Sequence, residues 1–261
     1  MTRLAAVQLH SRQDPQHNLR RVAELAARAA EEADIVVVPE MFPFIGAEGR
    51  EVDYAKPVGD LAYIEALIRL SDTRNCHIVA GSIPVAAGPG RIYNRSYVIS
   101  QGRVLGYYDK IHLFDITISS SSGFSESAYT TPGKDMPLFD LGGVKLAIAV
   151  CFDLRFPEMF RQYRKLGADI IALPAAFLTH TGKDHWEVLL RARAIENQVY
   201  VIAANQYGRH TEHKRSYGRS MIVHPWGTVL ACAPDGETWI SADYDGEELA
   251  AQRRRLPVAP V

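Results

Sequence analysis

Cys151 closes the apolar run Val144-Lys-Leu-Ala-Ile-Ala-Val150 and is followed at once by Phe-Asp-Leu-Arg-Phe-Pro-Glu158. This pattern predicts a thiol at the point where a buried strand turns into a helix. A nucleophile gains there. The strand fixes its position, and the unpaired N–H groups opening the next helix can stabilise negative charge. Position alone favours the competing reading, a buried structural cysteine, because free cysteine is among the most buried residue types. Cys76 and Cys232 read that way. Cys151 differs in its sequel, where Asp153, Arg155 and Glu158 crowd the strand end.

Three other residues could serve such a nucleophile. Glu40 stands just past the run Ile35–Val38, where a carboxylate either faces a crevice at a sheet edge or lies in a solvated loop. Lys110 sits in Tyr-Tyr-Asp-Lys-Ile-His-Leu-Phe, either buried among these neighbours or snorkelling to water. Glu126, taken alone, reads as a loop acid. Arg155, four residues past Cys151, could grip a carboxylate bidentately or pair internally with Glu158 or Asp153. His210 and His213, in Arg-His-Thr-Glu-His-Lys-Arg, invite a metal reading. No third ligand stands at metal-site spacing, so a polar, solvated loop is the expectation.

These residues need elements to hold them. Leu4–Leu9 reads as a buried strand, 15–32 as a helix opened by Pro15, Ile35–Val38 as a strand, 61–74 as a helix and Ile78–Ser82 as a strand. Strands Ile92–Ser100 and Val104–Tyr108 follow, separated by a Gln-Gly turn. The second half repeats the order: strand Val144–Val150, helix 157–166, strand Ile170–Leu173, helix 184–196 and strand Val199–Ala204, then strands at 217–223, 228–232 and 238–243. The segments IVVVPE and IIALPAA match, as do CHIVAGS and VYVIAAN. The reading is one α/β domain over 1–261, built of two similar halves with helices covering sheets. Residues 41–57 and 111–135 are expected to be long irregular loops, either functional or disordered. Residues 252–261 read as a helix end followed by an extended C-terminal arm.

Bulk properties bound the function. The 261 residues carry 29 basic and 30 acidic side chains, a net charge of −1 that offers no electrostatic reason for nucleic acid or an anionic membrane as partner. No run approaches the ~20 apolar residues of a membrane span. Three cysteines form no disulfide framework. A soluble, cytoplasmic and reducing setting is the expectation.

Strings around these residues resemble the nitrilase superfamily of carbon–nitrogen hydrolases, and within it the Nit-type amidases. They are VVVPEMF around Glu40, YDKIHLFD around Lys110, ESAYTTPG around Glu126 and VCFDLRFPE around Cys151. Further on come LPAAF, HWEVLLRARAIENQVYVIAANQ and SYGRSMIVHPWGTVLA. The resemblance spans nearly the whole chain and implies a four-layer α-β-β-α sandwich of two pseudo-symmetric halves. It implies a Glu–Lys–Cys triad of Glu40, Lys110 and Cys151, with Glu126 as a second acid. In that chemistry a thiolate attacks an amide and forms a thioester, splitting one hard step into two. Cysteine has an ordinary pKa of about 8.5, so a base and a cation must help to generate thiolate near neutrality. Glu40 would move the proton, and Lys110 with the Phe152 N–H would hold the oxyanion. Neither metal nor cofactor is called for. The resemblance also implies substrate contacts from the Pro174–Thr181 loop, with Phe177 as a pocket wall. Glu187, Arg191 and Arg193 are expected in helix ion pairs or subunit contacts.

The stretch QYGRHTEHKRSYGRSMIVHPWGTV resembles the deaminated-glutathione amidase branch of that group. The expected reaction is therefore hydrolysis of a small carboxylated amide, with an ω-amide of a 2-oxo acid as the alternative substrate. A catalytically silent binding protein of the same fold is the reading from another class. The chain departs from the family pattern in the Ser-rich segment 116–123 and in Lys183-Asp184 ahead of His185-Trp186. The resemblance further suggests a homodimer or higher homo-oligomer, with the C-terminal arm as an interface element.

Overall fold

In a computed structural model, residues 2–119 and 122–258 are described. The first half runs β1 (Thr2–Gln8), α1 (Pro15–Ala29), β2 (Ile35–Val37), α2 (Glu65–Thr73), β3 (His77–Gly88), β4 (Arg91–Ser100) and β5 (Arg103–Asp109). A hairpin of β6 (Asp115–Ser119) and β7 (Ser122–Ser125) leads into the second half. That half runs β8 (Leu138–Asp140), β9 (Lys145–Ile148), α3 (Pro157–Leu166), β10 (Ile170–Ala175), α4 (Thr179–Asn197) and β11 (Tyr200–Asn205). It closes with β12 (Tyr207–Arg209), β13 (Arg215–Tyr217), β14 (Met221–Val223), β15 (Val229–Cys232), β16 (Thr238–Tyr244) and α5 (Gly246–Arg255).

Two six-stranded sheets result, ordered β16-β1-β2-β3-β4-β5 and β8-β9-β10-β11-β14-β15. The orders match strand for strand. In each, three parallel strands from β-α-β-α-β are flanked by antiparallel strands. The expected pseudo-symmetry is therefore present. Strands β1 and β2 face β11 and β10 across the middle, α1 and α2 cover one outer face, and α3 and α4 pack against the other sheet. This is the α-β-β-α sandwich. The central strands are buried on both faces, which explains why they read as continuous apolar runs. Leu4, Ala6, Ile35 and Val37 point to the inter-sheet core, while Ala5, Val7, Val36 and Val38 point to the layer under α1 and α2.

Several boundaries differ from the sequence reading. Helix α4 begins at Thr179 rather than 184, so the last three residues of the expected substrate loop are helical. The segment 111–135 holds the β6–β7 hairpin and a short 3₁₀ turn, Glu126–Ala128; Ser120 and Ser121 lie outside the described residues. The expected strand at 217–223 is two short strands on different sheets, because Gly218 and Arg219 take positive φ between them. Helix α5 ends at Arg255, and Arg253 pins its last turn by bonds to Asp169 Oδ1 (2.8 Å) and the Ala168 carbonyl (2.7 Å); residues 259–261 lie outside the description. No described helix is long and apolar enough to cross a membrane.

Candidate active site

Each strand that carries a candidate residue ends at one crevice. β2 stops at Val37, and the chain turns through Pro39 to bring Glu40 inward. The turn lies directly on β3: at Gly81, φ is +36° and an added Cβ would collide with the Pro39 carbonyl oxygen. A side chain there is excluded both by that contact and by the backbone. Ser82 Oγ accepts the Met41 N–H (3.0 Å), and Gln206 donates to the Glu40 carbonyl (3.0 Å). Glu40 is 4% exposed. Its Oε1 accepts from Asn94 Nδ2 (2.9 Å) and Lys110 Nζ (3.1 Å), and its Oε2 from the Ala176 N–H (2.8 Å) just past the matching strand β10.

Lys110 follows β5 and is 2% exposed, so the snorkelling alternative is excluded. Its ammonium lies between Glu40 Oε1 and Glu126 Oε2, the latter at 2.8 Å. Burial alone would lower its pKa. The charges of Glu126 and Glu40 outweigh that and hold it well above the ordinary range. Glu126 opens the 3₁₀ turn and is also buried. Its Oε2 accepts the Phe114 N–H (2.7 Å), and its Oε1 shares Asn94 Nδ2 (3.1 Å) with Glu40.

Cys151 is 8% exposed and takes φ +48°, the left-handed region that a non-glycine residue occupies only under external constraint. The expected helix directly after it is a short 3₁₀ turn, Cys151–Arg155, which Pro157 converts into α3. The constraint is Asp153, fully buried. Its Oδ2 accepts the Val150 N–H (2.8 Å) and the Tyr108 hydroxyl (2.7 Å); its Oδ1 accepts the His112 N–H (3.0 Å) and binds His112 Nδ1 (2.7 Å). Asp153 thereby ties the turn of Cys151 to the residues two before and two after Lys110. Burial pushes the Cys151 thiol well above its ordinary pKa, the Glu40 charge adds to this, and Lys110 opposes it. Burial thus favours the protonated thiol, in line with the need for a base and a cation to generate the nucleophile. Its proton must leave as the bond forms, to a base already at hand.

Glu40, Lys110, Glu126 and Cys151 line one cavity together with Asn94, Phe152, Arg155 and Phe177. All seven expected site residues converge there. Arg155 has neither Glu158 nor Asp153 as partner. Its guanidinium lies 5.2 Å from the Phe177 ring and touches His185 Nδ1 at 3.2 Å, with no carboxylate paired to it among the described residues. Phe177 packs on Trp186 in a tilted arrangement, their ring centroids 5.1 Å apart.

Other expectations resolve differently. Glu187–Arg191 and Arg193–Glu196 form the helix ion pairs foreseen for α4. The His-containing loop is not uniformly solvated. His213 is exposed, whereas His210 is buried between the Ser11 carbonyl (2.7 Å) and Ser216 Oγ (2.9 Å), and the two do not converge on a metal. Sequence reasoning missed Asn94 and the role of Asp153. It also missed Glu51 and Lys214, a largely buried pair 3.4 Å apart on the cavity wall. The available signal for Asn94 was the polar run Asn-Arg-Ser inside an apolar strand.

Fold and site define a hydrolase with a buried acid–lysine–thiol centre. A family model for carbon–nitrogen hydrolases matches residues 3–254, and the chain belongs to that family. It is 37% identical over 260 residues to the deaminated glutathione amidase of Synechocystis sp., covering 97% of this chain and 95% of the relative. It is 37% identical over 261 residues to omega-amidase NIT2 of Danio rerio, covering 98% and 92%. The crystal structure of Saccharomyces cerevisiae Nit3, a member of branch 10 of the nitrilase superfamily, superposes with a TM-score of 0.88 at 31% identity over 98% of this chain and 94% of that one. The protein is thus an enzyme, an amidase of the nitrilase superfamily.

Proposed function

We propose that Cys151 is the nucleophile of this amidase, that Glu40 is its base and that the substrate is a small amide carrying a carboxylate. One observation carries this reading: a buried ammonium held between two buried carboxylates, in the same cavity as a thiol on a constrained turn. The Cys151 sulfur attacks the amide carbon as its proton passes to Glu40. The carbonyl oxygen becomes an oxyanion beside the Lys110 ammonium and the Phe152 N–H, where one preorganised donor is worth ~3 kcal/mol. Glu40 returns the proton to the departing nitrogen, the C–N bond breaks and a thioester remains. Glu40 then takes a proton from water, which attacks the thioester and frees the acid and the thiol. Glu126 fixes Lys110 throughout.

Arg155 supports the carboxylate. Among the described residues it is the cavity cation without an acidic partner, and its planar fork suits bidentate capture. The Phe152 and Phe177 rings flank it. Deaminated glutathione is the substrate we favour, with an ω-amide of a 2-oxo acid second; the relatives carry names of both kinds. A reducing, cytoplasmic setting suits an enzyme that depends on a free thiol. We also propose a homodimer, on the grounds that Val188, Ile195 and Trp226 are exposed on one flank of the second half.

The test is release of amine or ammonia from a panel of 2-oxo amides, carboxylated peptide amides, neutral amides and nitriles. Carboxylated amides are expected to lead, and Arg155→Ala to raise their KM roughly 10–100-fold, the ~1.5–3 kcal/mol of a charge-assisted bond, while changing neutral amides little. An equal effect of Arg155→Ala on charged and neutral amides removes the carboxylate assignment.

A further inference from the structure

The triad residues are not held by one another alone. One neutral side chain, Asn94 on β4, touches both carboxylates of the site. Its Nδ2 donates to Glu40 Oε1 (2.9 Å) and to Glu126 Oε1 (3.1 Å), and the residue is 1% exposed. The amide orientation is forced: with oxygen and nitrogen exchanged, the oxygen would face two carboxylates. The side chain therefore keeps its oxygen on the other side, where Oδ1 is buried and has no hydrogen-bond partner among the described residues. A buried acceptor without a partner is a cost, and folding alone gives no reason to keep an amide here. The backbone of Asn94 serves the site as well, its carbonyl accepting the Lys110 N–H at 3.0 Å.

We propose that Asn94 is a positioning residue for amide hydrolysis, a charge-neutral clamp whose single NH₂ group holds Glu40 and Glu126 on either side of Lys110. The chemistry of the position explains the residue type. Two carboxylates that share one ammonium repel each other. A lysine or arginine at 94 would relieve the repulsion but add a second cation and weaken Glu40 as a proton acceptor. A serine or threonine hydroxyl has one proton and can serve one carboxylate. An aspartate would add a third negative charge. An amide nitrogen supplies two protons and no net charge. It leaves Lys110 as the cation that both acids and the developing oxyanion share. With Oε1 taken by Asn94 and Lys110, and Oε2 bound once by the Ala176 N–H, the remaining free lone pair of Glu40 lies on Oε2. The clamp thus fixes which oxygen receives the Cys151 proton.

This rests on the roles proposed above for Glu40, Lys110 and Cys151, and the two can be tested apart. Asn94→Leu keeps the approximate shape, removes the clamp and also removes the unpartnered oxygen. The expected result is a kcat lower by tenfold to a hundredfold with KM within about threefold of wild type, and an acid limb of the kcat/KM profile moved to higher pH. The limb moves because the two carboxylates have lost the donor they share. Asn94→Gln, which keeps the NH₂ group, is expected to recover part of kcat and return the limb toward its original pH. Should Asn94→Leu fold poorly, Asn94→Ser is read in its place, and the pH dependence of Cys151 alkylation by iodoacetamide reports the same limb without turnover. A kcat within threefold of wild type and an unmoved limb in Asn94→Leu overturn the clamp. If Cys151→Ala is inactive in the same experiment, the clamp alone has failed; if Cys151→Ala turns over normally, the triad has failed as well.

Discussion

Asp153→Asn probes how the nucleophile is held, with almost no change of shape. The carboxylate accepts four bonds, two on each oxygen. An asparagine keeps one accepting oxygen. If that oxygen serves His112, the new NH₂ group faces the Val150 N–H and the Tyr108 hydroxyl. The hydroxyl can rotate to accept, but the backbone N–H cannot, and it becomes an orphaned buried donor at a cost of ~1–3 kcal/mol. The contact with His112 loses its charge assistance, a further ~1–2 kcal/mol. The sum is roughly 2–5 kcal/mol, which for a chain of this size lowers Tm by roughly 5–15 °C. Catalysis is expected to suffer as well. Asp153 holds the turn at Cys151, φ +48°, and reaches across to the segment that carries Lys110. A displacement of order 1 Å between sulfur and ammonium costs ~10²-fold in rate. The assay is differential scanning fluorimetry beside kcat on a carboxylated amide, measured at least 15 °C below the variant's own Tm. A Tm within about 2 °C and a kcat within threefold of wild type would refute the claim that Asp153 couples the two segments.

Two further expectations follow from buried charge. Lys110→Met removes the cation between Glu40 and Glu126, and because both carboxylates are buried, the variant is expected to lose ~3–5 kcal/mol in urea unfolding as well as nearly all turnover; retained activity would remove Lys110 from the mechanism. His210 has its pKa lowered to about 3 by burial, so the unfolded chain binds a proton below pH 6.5 that the folded chain refuses. Its stabilising contribution is complete above pH 6.5 and is lost progressively as pH falls toward 3, about 2 kcal/mol between pH 7 and pH 5, a slope that His210→Gln is expected to abolish in urea midpoints.

The sheets were legible because their central strands are covered on both faces, so Leu4–Leu9 or Val199–Ala204 can be nothing but buried strand. Glu40, Lys110, Glu126 and Cys151 were legible because each lies in a string that resembles one family. Their partners were not. Asp153 sits two residues from Cys151 and reads as an ion-pair candidate for Arg155, yet its donors come from a segment some 40 residues earlier, brought there only by the packing of the two sheets. Asn94 reads as one polar residue in a strand, and a one-residue change of register would turn it away from the site. The β4–β5 pairing fixes that register, setting Arg95 opposite Asp109 and Ser96 opposite Tyr108. The upward push on the Cys151 thiol was not legible either, because it comes from its full burial in the fold.

The central claim is that turnover passes through a thioester on Cys151. Acid-quenching the enzyme during turnover of a carboxylated amide and mapping the digest by mass spectrometry tests it directly. The account predicts that the peptide containing Cys151 gains the mass of the substrate's acyl group, that hydroxylamine removes it, and that Cys151→Ala shows neither adduct nor turnover while keeping the wild-type Tm within a few degrees. Undiminished turnover by Cys151→Ala, or an adduct on Cys76 or Cys232 instead, would contradict it.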